Sequence, residues 1–87
     1  GNAVLAVAVD DALVYPAFQF DDRGVPRDEI SNLIELLQAS GLGAWQTWSW
    51  LVEPTGMLSG GVPVEMVFTE PGRTMNAAMR LAARVGH

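Results

Sequence analysis

Residues 26–41 run PRDEISNLIELLQASG and carry the strongest structural signal in the chain. Four large apolar residues recur at intervals of three and four: Ile30, Leu33, Ile34 and Leu37. This spacing is typical of a helix with one buried face. Pro26 suits a first helical turn, and acidic Asp28 and Glu29 suit the positive end of the helix dipole. Gly41 is the expected left-handed residue after the last turn.

The residues before this helix predict a β-hairpin. Residues 3–9 alternate valine with smaller apolar residues, a pattern typical of a buried strand. Asp10 and Asp11 supply turn chemistry, and residues 13–20 resume extended character. Pro16 lacks a backbone N–H, so it must lie at an edge or a strand end. Both faces of the ribbon are apolar, so we expect it to pack on helices, on a partner chain, or on both.

The residues after the helix predict three more. A second helix is expected from Gly43 or Ala44 to about Val52, where Pro54 stops it. A short third helix is expected over 64–69 and a last one over 73–85. The predicted fold is therefore α+β, mainly α, with an N-terminal hairpin followed by about four helices. We expect one domain over 1–87: hairpin and loop (1–22), two helices (26–53) and a helical core (54–87).

Three tryptophans fall within six residues of the second helix. Trp45, Trp48 and Val52 share one helical face, and core packing is the favoured interpretation because each indole can bury ~150–250 Å². Trp50 points away from that stripe. The alternative is that Trp50 anchors a partner, since tryptophan is enriched among interface hot spots.

Composition excludes several classes of function. The chain has ten acidic residues against five basic ones, a net charge of −5, and no lysine, so it lacks the basic patch that phosphate contacts require. With no cysteine, it has no disulfide framework or thiolate zinc site. No apolar run approaches the ~18 residues of a membrane span. We therefore expect a cytoplasmic protein that binds no membrane.

Catalytic chemistry is equally sparse. The single histidine is the terminal residue, His87, and it has no cysteine or second histidine to share a metal. The pairs Asp10-Asp11 and Asp21-Asp22 could act as an acid–base pair, but loop carboxylates of this kind are usually only solvated. The sequence predicts no enzyme, no cofactor and no metal site.

Arginines cluster on the last predicted helix. Arg73, Arg80 and Arg84 fall on one side of it in an otherwise acidic chain. They would form either a solvated face, with Arg80 and Arg84 complementing the helix dipole, or a contact strip for an acidic partner surface. The residues alone leave both alternatives open.

Residues 50–65 run WLVEPTGMLSGGVPVE and contain a spaced motif. Pro54 stops the tryptophan helix, and Leu58 is expected to pin the following loop to the core. Gly60 and Gly61 allow a tight backbone path with φ above zero, and Pro63 restarts a helix. These are also the needs of any helix–loop–helix corner.

This motif resembles the W-L-x-x-P-x-x-x-L-x-G-x-x-P core of the Xre/MbcA/ParS antitoxin toxin-binding domain. That family partners RES-domain toxins in bacterial toxin–antitoxin pairs. In the family, a short helix and a closing helix follow the motif, as residues 64–86 are expected to do. Residues 13–21 also resemble a segment that follows an N-terminal helix-turn-helix in relatives of the family.

The resemblance implies a non-enzymatic protein–protein interaction domain that neutralises an NAD-consuming RES toxin by occluding its cleft. It implies the following partner-binding residues: Trp50, Pro54, Leu58, Gly60, Gly61, Pro63, Arg80 and Arg84. It also implies a fragment of a longer protein, with DNA bound only through an upstream region.

A homodimer is expected through the hairpin and the tryptophan helix, because 49% apolar residues is generous for so small an interior. The alternative function is the oligomerisation or effector module of a bacterial transcription regulator that has no toxin partner.

Overall fold

A computed structural model describes residues 3–85 of the chain, so His87 lies outside the described residues. Within them, a two-stranded antiparallel hairpin precedes four α-helices, which confirms the predicted fold class. The strands are β1 (Val7–Val9) and β2 (Ala12–Val14). The helices are α1 (Asp28–Ala39), α2 (Ala44–Val52), α3 (Pro63–Thr69) and α4 (Pro71–Val85). Short 3₁₀ turns lie at Ala17–Gln19 and Gly56–Leu58.

Helix α1 is the centre of the core. Its four periodic apolar residues are all 1% exposed or less: Ile30, Leu33, Ile34 and Leu37. The other three helices each contact α1, and Leu51, Val67 and Ala78 join it in one buried cluster. Leu5 and Val7 from the N-terminal segment complete that cluster. The amphipathic period therefore predicted the buried face of α1 correctly.

The two ends of α1 differ from each other in how well the sequence predicted them. The helix begins at Asp28 rather than in a turn containing Pro26, because Pro26 pairs with Phe20 in an isolated β-bridge. At the other end Gly41 has φ +99°, as expected. The Gly41 N–H donates to Gln38 O (3.0 Å) and the next N–H donates to Leu37 O (3.2 Å). These bonds form a Schellman motif that satisfies the last carbonyls of the helix.

The hairpin is shorter than predicted. Val7 pairs with Val14 across a turn in which Asp10 has φ 53°. Residues 15–20 leave the ladder, because Pro16 offers no N–H and a 3₁₀ turn follows it. The Gln19 amide replaces the ladder: its Oε1 accepts from Leu5 N (2.7 Å) and its Nε2 donates to Leu5 O (2.9 Å). One buried side chain thus holds the N-terminal segment in the fold.

Most of the hairpin lies at the surface. All three residues of β2 are exposed, and Leu13 is 62% and Tyr15 53% exposed. The described chain therefore buries only one edge of the ribbon, through Leu5 and Val7.

Helix α2 faces the core with residues that the pattern did not favour. Thr47 and Leu51 are buried, whereas Trp45 is 57% and Val52 38% exposed. Trp48 is only partly buried, at the edge of the core. The prediction that the Trp45, Trp48 and Val52 stripe forms the core is therefore wrong. Thr47 can lie inward because its hydroxyl donates to Gly43 O (2.9 Å) within the helix, leaving no polar group unsatisfied.

Helices α3 and α4 follow the predicted order. Pro63 is the first residue of α3, and α4 begins at Pro71, two residues before the predicted start. No helix within residues 3–85 is both long and apolar enough to cross a bilayer.

Candidate interaction site

A groove of about 430 Å³ lies between α2, the segment that follows it, and α4. We call it the α2–α4 groove. Its lining residues are Leu42, Gln46, Ser49, Trp50, Glu53, Pro54, Thr55 and Leu81. The groove brings together two of the residues singled out from the motif, Trp50 and Pro54, on either side of the end of α2.

The groove combines an apolar surface with a polar rim. Trp50, Leu42 and Leu81 are half-buried and pack against the edge of the core. On the rim, the Ser49 hydroxyl donates to the Glu53 carboxylate, the one charged group in the lining. A concave apolar surface edged by a few polar groups suits the side chain of a protein partner or a small apolar ligand.

The α2–α3 loop (54–62) is a closed structure organised by Thr55. The Thr55 N–H donates to Gly61 O (3.1 Å), so the two ends of the loop pair with each other. The Thr55 carbonyl accepts from Leu58 N (3.1 Å) and Gly60 N (2.9 Å), and its hydroxyl accepts from Met57 N (3.3 Å). These internal bonds occupy much of the loop's backbone, so its rim of the groove is preformed.

The motif residues of this loop, and Pro63 at the start of α3, have different positions. Leu58 (2% exposed) and Pro63 are buried, so both pack inside the molecule rather than at its surface. Gly60 is exposed and has φ +89°, the left-handed conformation expected from the sequence. Gly61 is not left-handed; a Cβ there would lie 2.9 Å from Met66 Sδ and 3.2 Å from Leu58 O. Glycine is therefore needed at position 61 because the site has no room for a side chain, and not because of its dihedral angles.

The arginines of α4 separate into two groups. Arg73 is tied to its own surroundings: its Nη2 donates to Ser59 Oγ (2.7 Å) and its Nη1 lies 3.5 Å from Glu70 Oε2. This contact fastens the α2–α3 loop to α4. Arg80 and Arg84 are exposed farther along the helix, on either side in sequence of the groove residue Leu81. Of the three arginines in the predicted contact strip, Arg80 and Arg84 are therefore the two that are accessible to a partner.

Part of the groove could not be predicted from the sequence. Leu42 and Leu81 lie in different elements, and nothing in the spacing of either predicts that they meet near Trp50. The available signal for this part of the groove was that Leu81 lies between Arg80 and Arg84 in the sequence. Because Leu81 is partly buried, Arg80 lies at the edge of a packed surface.

The Asp21 carboxylate has a structural role in the loop before α1. The pKa of Asp21 is lowered, because its carboxylate accepts hydrogen bonds from Val25 N (3.0 Å) and Arg23 N (2.8 Å), with Arg27 nearby. Among residues 3–85, no three acidic or histidine side chains are grouped so as to hold a metal ion.

In comparisons with known proteins, no family model, no curated protein and no solved structure matched the chain. The resemblance of residues 50–65 to the antitoxin domain therefore stays a prediction from the motif alone.

Proposed function

We propose that the chain is a non-enzymatic protein–protein interaction domain that neutralises a RES-type, NAD-consuming toxin by occluding its cleft. The observation that carries this proposal is the meeting of Trp50 and Pro54 in the α2–α4 groove. Trp50 offers a large, half-buried indole, the kind of side chain that dominates binding energy at interfaces. The preformed loop beside it lowers the entropy lost on association.

In this proposal the groove receives an apolar side chain of the toxin, and the arginines of α4 orient the complex. Arg80 and Arg84 are exposed, and the planar guanidinium pairs well with carboxylates. Leu58 and Pro63 act indirectly, because from inside the molecule they hold the loop that forms the groove's rim. The chain performs no chemistry and inhibits by covering the toxin's surface.

The test measures NAD consumption by a purified RES-domain toxin, with and without excess chain. We expect consumption to fall in proportion to the chain added, to a one-to-one endpoint. Arg84→Glu should weaken inhibition about tenfold, since interface charges of this kind contribute about 1–2 kcal/mol. Arg23→Glu, an equal charge change on an exposed loop, is the matched control. Undiminished NAD consumption, or equal effects of the two variants, would contradict the proposal.

A second candidate function is an oligomerisation or effector module of a transcription regulator. The exposed apolar hairpin favours it, because Leu13 and Tyr15 have no covering element within residues 3–85. Sedimentation equilibrium up to about 100 μM distinguishes this role: a homodimer that Leu13→Glu dissociates would support it. A monomer at that concentration would argue against the hairpin as a dimer surface, since stable interfaces bury more than about 1,000 Å².

A further inference from the structure

The outer face of α2 carries a stacked pair of indoles. The rings of Trp45 and Trp48 lie with centroids 5.3 Å apart and planes 1° from parallel. Trp45 is 57% exposed although it is one of the largest apolar side chains in the chain. Stacking of this kind favours one arrangement of the two rings, which lowers the conformational entropy lost on binding.

This pair lines a second depression of about 240 Å³, which we call the indole pocket. Its lining residues are Trp45, Trp48, Ser49, Val52 and Glu53. Two indoles and a valine form the apolar wall, and the Glu53 carboxylate forms the charged edge. The pocket shares Ser49 and Glu53 with the α2–α4 groove, but neither Trp45 nor Trp48 lines that groove.

The charged edge of the indole pocket is negative from two sources. Glu53 is the C-terminal cap of α2, at the end where the helix carbonyls concentrate partial negative charge. The last turn of α2 contains no basic residue, and the ion pair between Arg73 and Glu70 is the single one within residues 3–85. The Ser49 hydroxyl donates to the Glu53 carboxylate and holds it beside the helix. Within residues 3–85, the Glu53 carboxylate therefore has no basic partner.

We propose that the indole pocket binds an arginine side chain of a partner protein. A guanidinium stacks on an indole face and at the same time donates hydrogen bonds to a carboxylate, which are the two kinds of surface that this pocket offers. Arginine suits it better than lysine because its planar, weakly hydrated head group lies flat against aromatic rings. The indole pocket adjoins the α2–α4 groove, because the two share Ser49 and Glu53. The proposal goes beyond the proposed function, since it specifies a second contact that an arginine of the partner makes.

The experiment follows the three tryptophan indole N–H signals of the 87-residue chain by ¹H–¹⁵N NMR, assigned with single Trp→Phe variants. The probe is N-acetylarginine N-methylamide, and the matched probe is the citrulline analogue, which is neutral and nearly the same shape. We expect saturable shifts of the Trp45 and Trp48 signals in the millimolar range with the arginine probe. The Trp50 signal should move less, because Trp50 does not line the pocket.

Two variants test the carboxylate. Glu53→Gln should weaken binding of the arginine probe about twofold to fivefold, the range expected for an exposed cation beside one carboxylate. Glu35→Gln, an exposed acidic residue on α1, is the matched control and should leave binding unchanged. Equal shifts with the citrulline probe, no saturable shift, or equal effects of the two variants would overturn the proposal.

Dilution of the free chain tests self-occupancy. If the Trp45 and Trp48 signals change between about 50 and 500 μM chain without probe, and Arg80→Glu abolishes the change, the chain's own arginines occupy the pocket. That result would overturn assignment to a partner protein. Concentration-independent signals, together with the arginine-specific shifts, would support it.

Discussion

Helices α1 and α2 carry apolar side chains at the same spacing but use them in opposite ways. In α1 the periodic residues Leu33 and Leu37 are fully buried. In α2 the periodic residues Trp45 and Val52 are exposed, and the core contact is made by Leu51 and Thr47. The difference lies in the other face of each helix. That of α1 is polar and fixes the orientation, whereas the tryptophans of α2 lie on more than one side, so its period does not determine which side turns inward.

An aromatic cluster is therefore not by itself evidence of a buried core. Helix α2 contacts both α1 and α3. These two contacts determine its orientation, because they require a compact inner face. Thr47 and Leu51 provide that face, and the indoles remain at the surface, where one lines the α2–α4 groove and two line the indole pocket.

The largest expected effect separates the two helices directly. Leu33→Ala should lower the free energy of unfolding by about 2–5 kcal/mol, because it removes a fully buried side chain and leaves a cavity. Trp45→Ala should lower it by about 1 kcal/mol or less, because only the stacking contact is lost. Urea denaturation followed by circular dichroism measures both.

If Leu33→Ala does not fold, Ile34→Val provides a milder probe of the same face, with an expected loss of about 0.5–1.5 kcal/mol. A larger loss for Trp45→Ala than for Leu33→Ala would contradict the assigned orientation of α2.

A smaller effect is expected where the two helices end. Helix α1 depends on Gly41 at φ +99°, whereas α2 runs into Pro54. Gly41→Ala should therefore destabilise the fold by about 1 kcal/mol through left-handed strain, since its Cβ would meet only Val85 Cγ1 at 3.9 Å. Gly72→Ala, in the first turn of α4 and open to solvent, should instead stabilise by about 0.5 kcal/mol. Thermal unfolding of the two variants measures the contrast, and equal shifts in Tm would contradict it.

The smallest effect concerns how the helices begin. The loop before α1 is held by the Asp21 carboxylate, whereas the Gln46 amide, accepting from Gly43 N (3.0 Å), caps the start of α2. The pKa of Asp21 is lowered by backbone hydrogen bonds from Val25 and Arg23. Its stabilisation is therefore complete above the ordinary value of 3.8 and is lost as the pH falls through the lower folded-state pKa.

Asp21→Asn should accordingly make unfolding below about pH 4 less dependent on pH. The neighbouring exposed Asp22→Asn is the matched control. Acid titration of the unfolding free energy measures the difference. Identical acid limbs for the two variants would show that the loop before α1 does not depend on this carboxylate.

Much of the fold was predictable because local signals agreed with the tertiary structure. The period of α1, the left-handed Gly41 and the helix-starting Pro63 all act within one or two turns of chain. The second strand was predicted too long, because residues 15–20 leave the ladder and a long-range contact replaces it. The Gln19 side chain bonds a backbone 14 residues away, and no local pattern reveals that.

The candidate site was predictable only in part. Trp50 and Pro54 were identified from the motif, and they meet in the α2–α4 groove. The burial of Leu58 and Pro63 could be predicted in general terms, since both are apolar residues at a helix–loop–helix corner. Leu42 and Leu81 were missed because residues so far apart in the chain become neighbours only when α2 and α4 pack.

The amino-acid sequence by itself determined the order of the hairpin and the helices, because turns, caps and helical periods are properties of short segments. Tertiary packing alone decided which side of α2 faces solvent, since a helix with large apolar residues on more than one side has more than one candidate inward face and its neighbours select one. That selection leaves Trp45 exposed and Trp48 partly buried beside Glu53, and so creates a surface that local pattern could not have located.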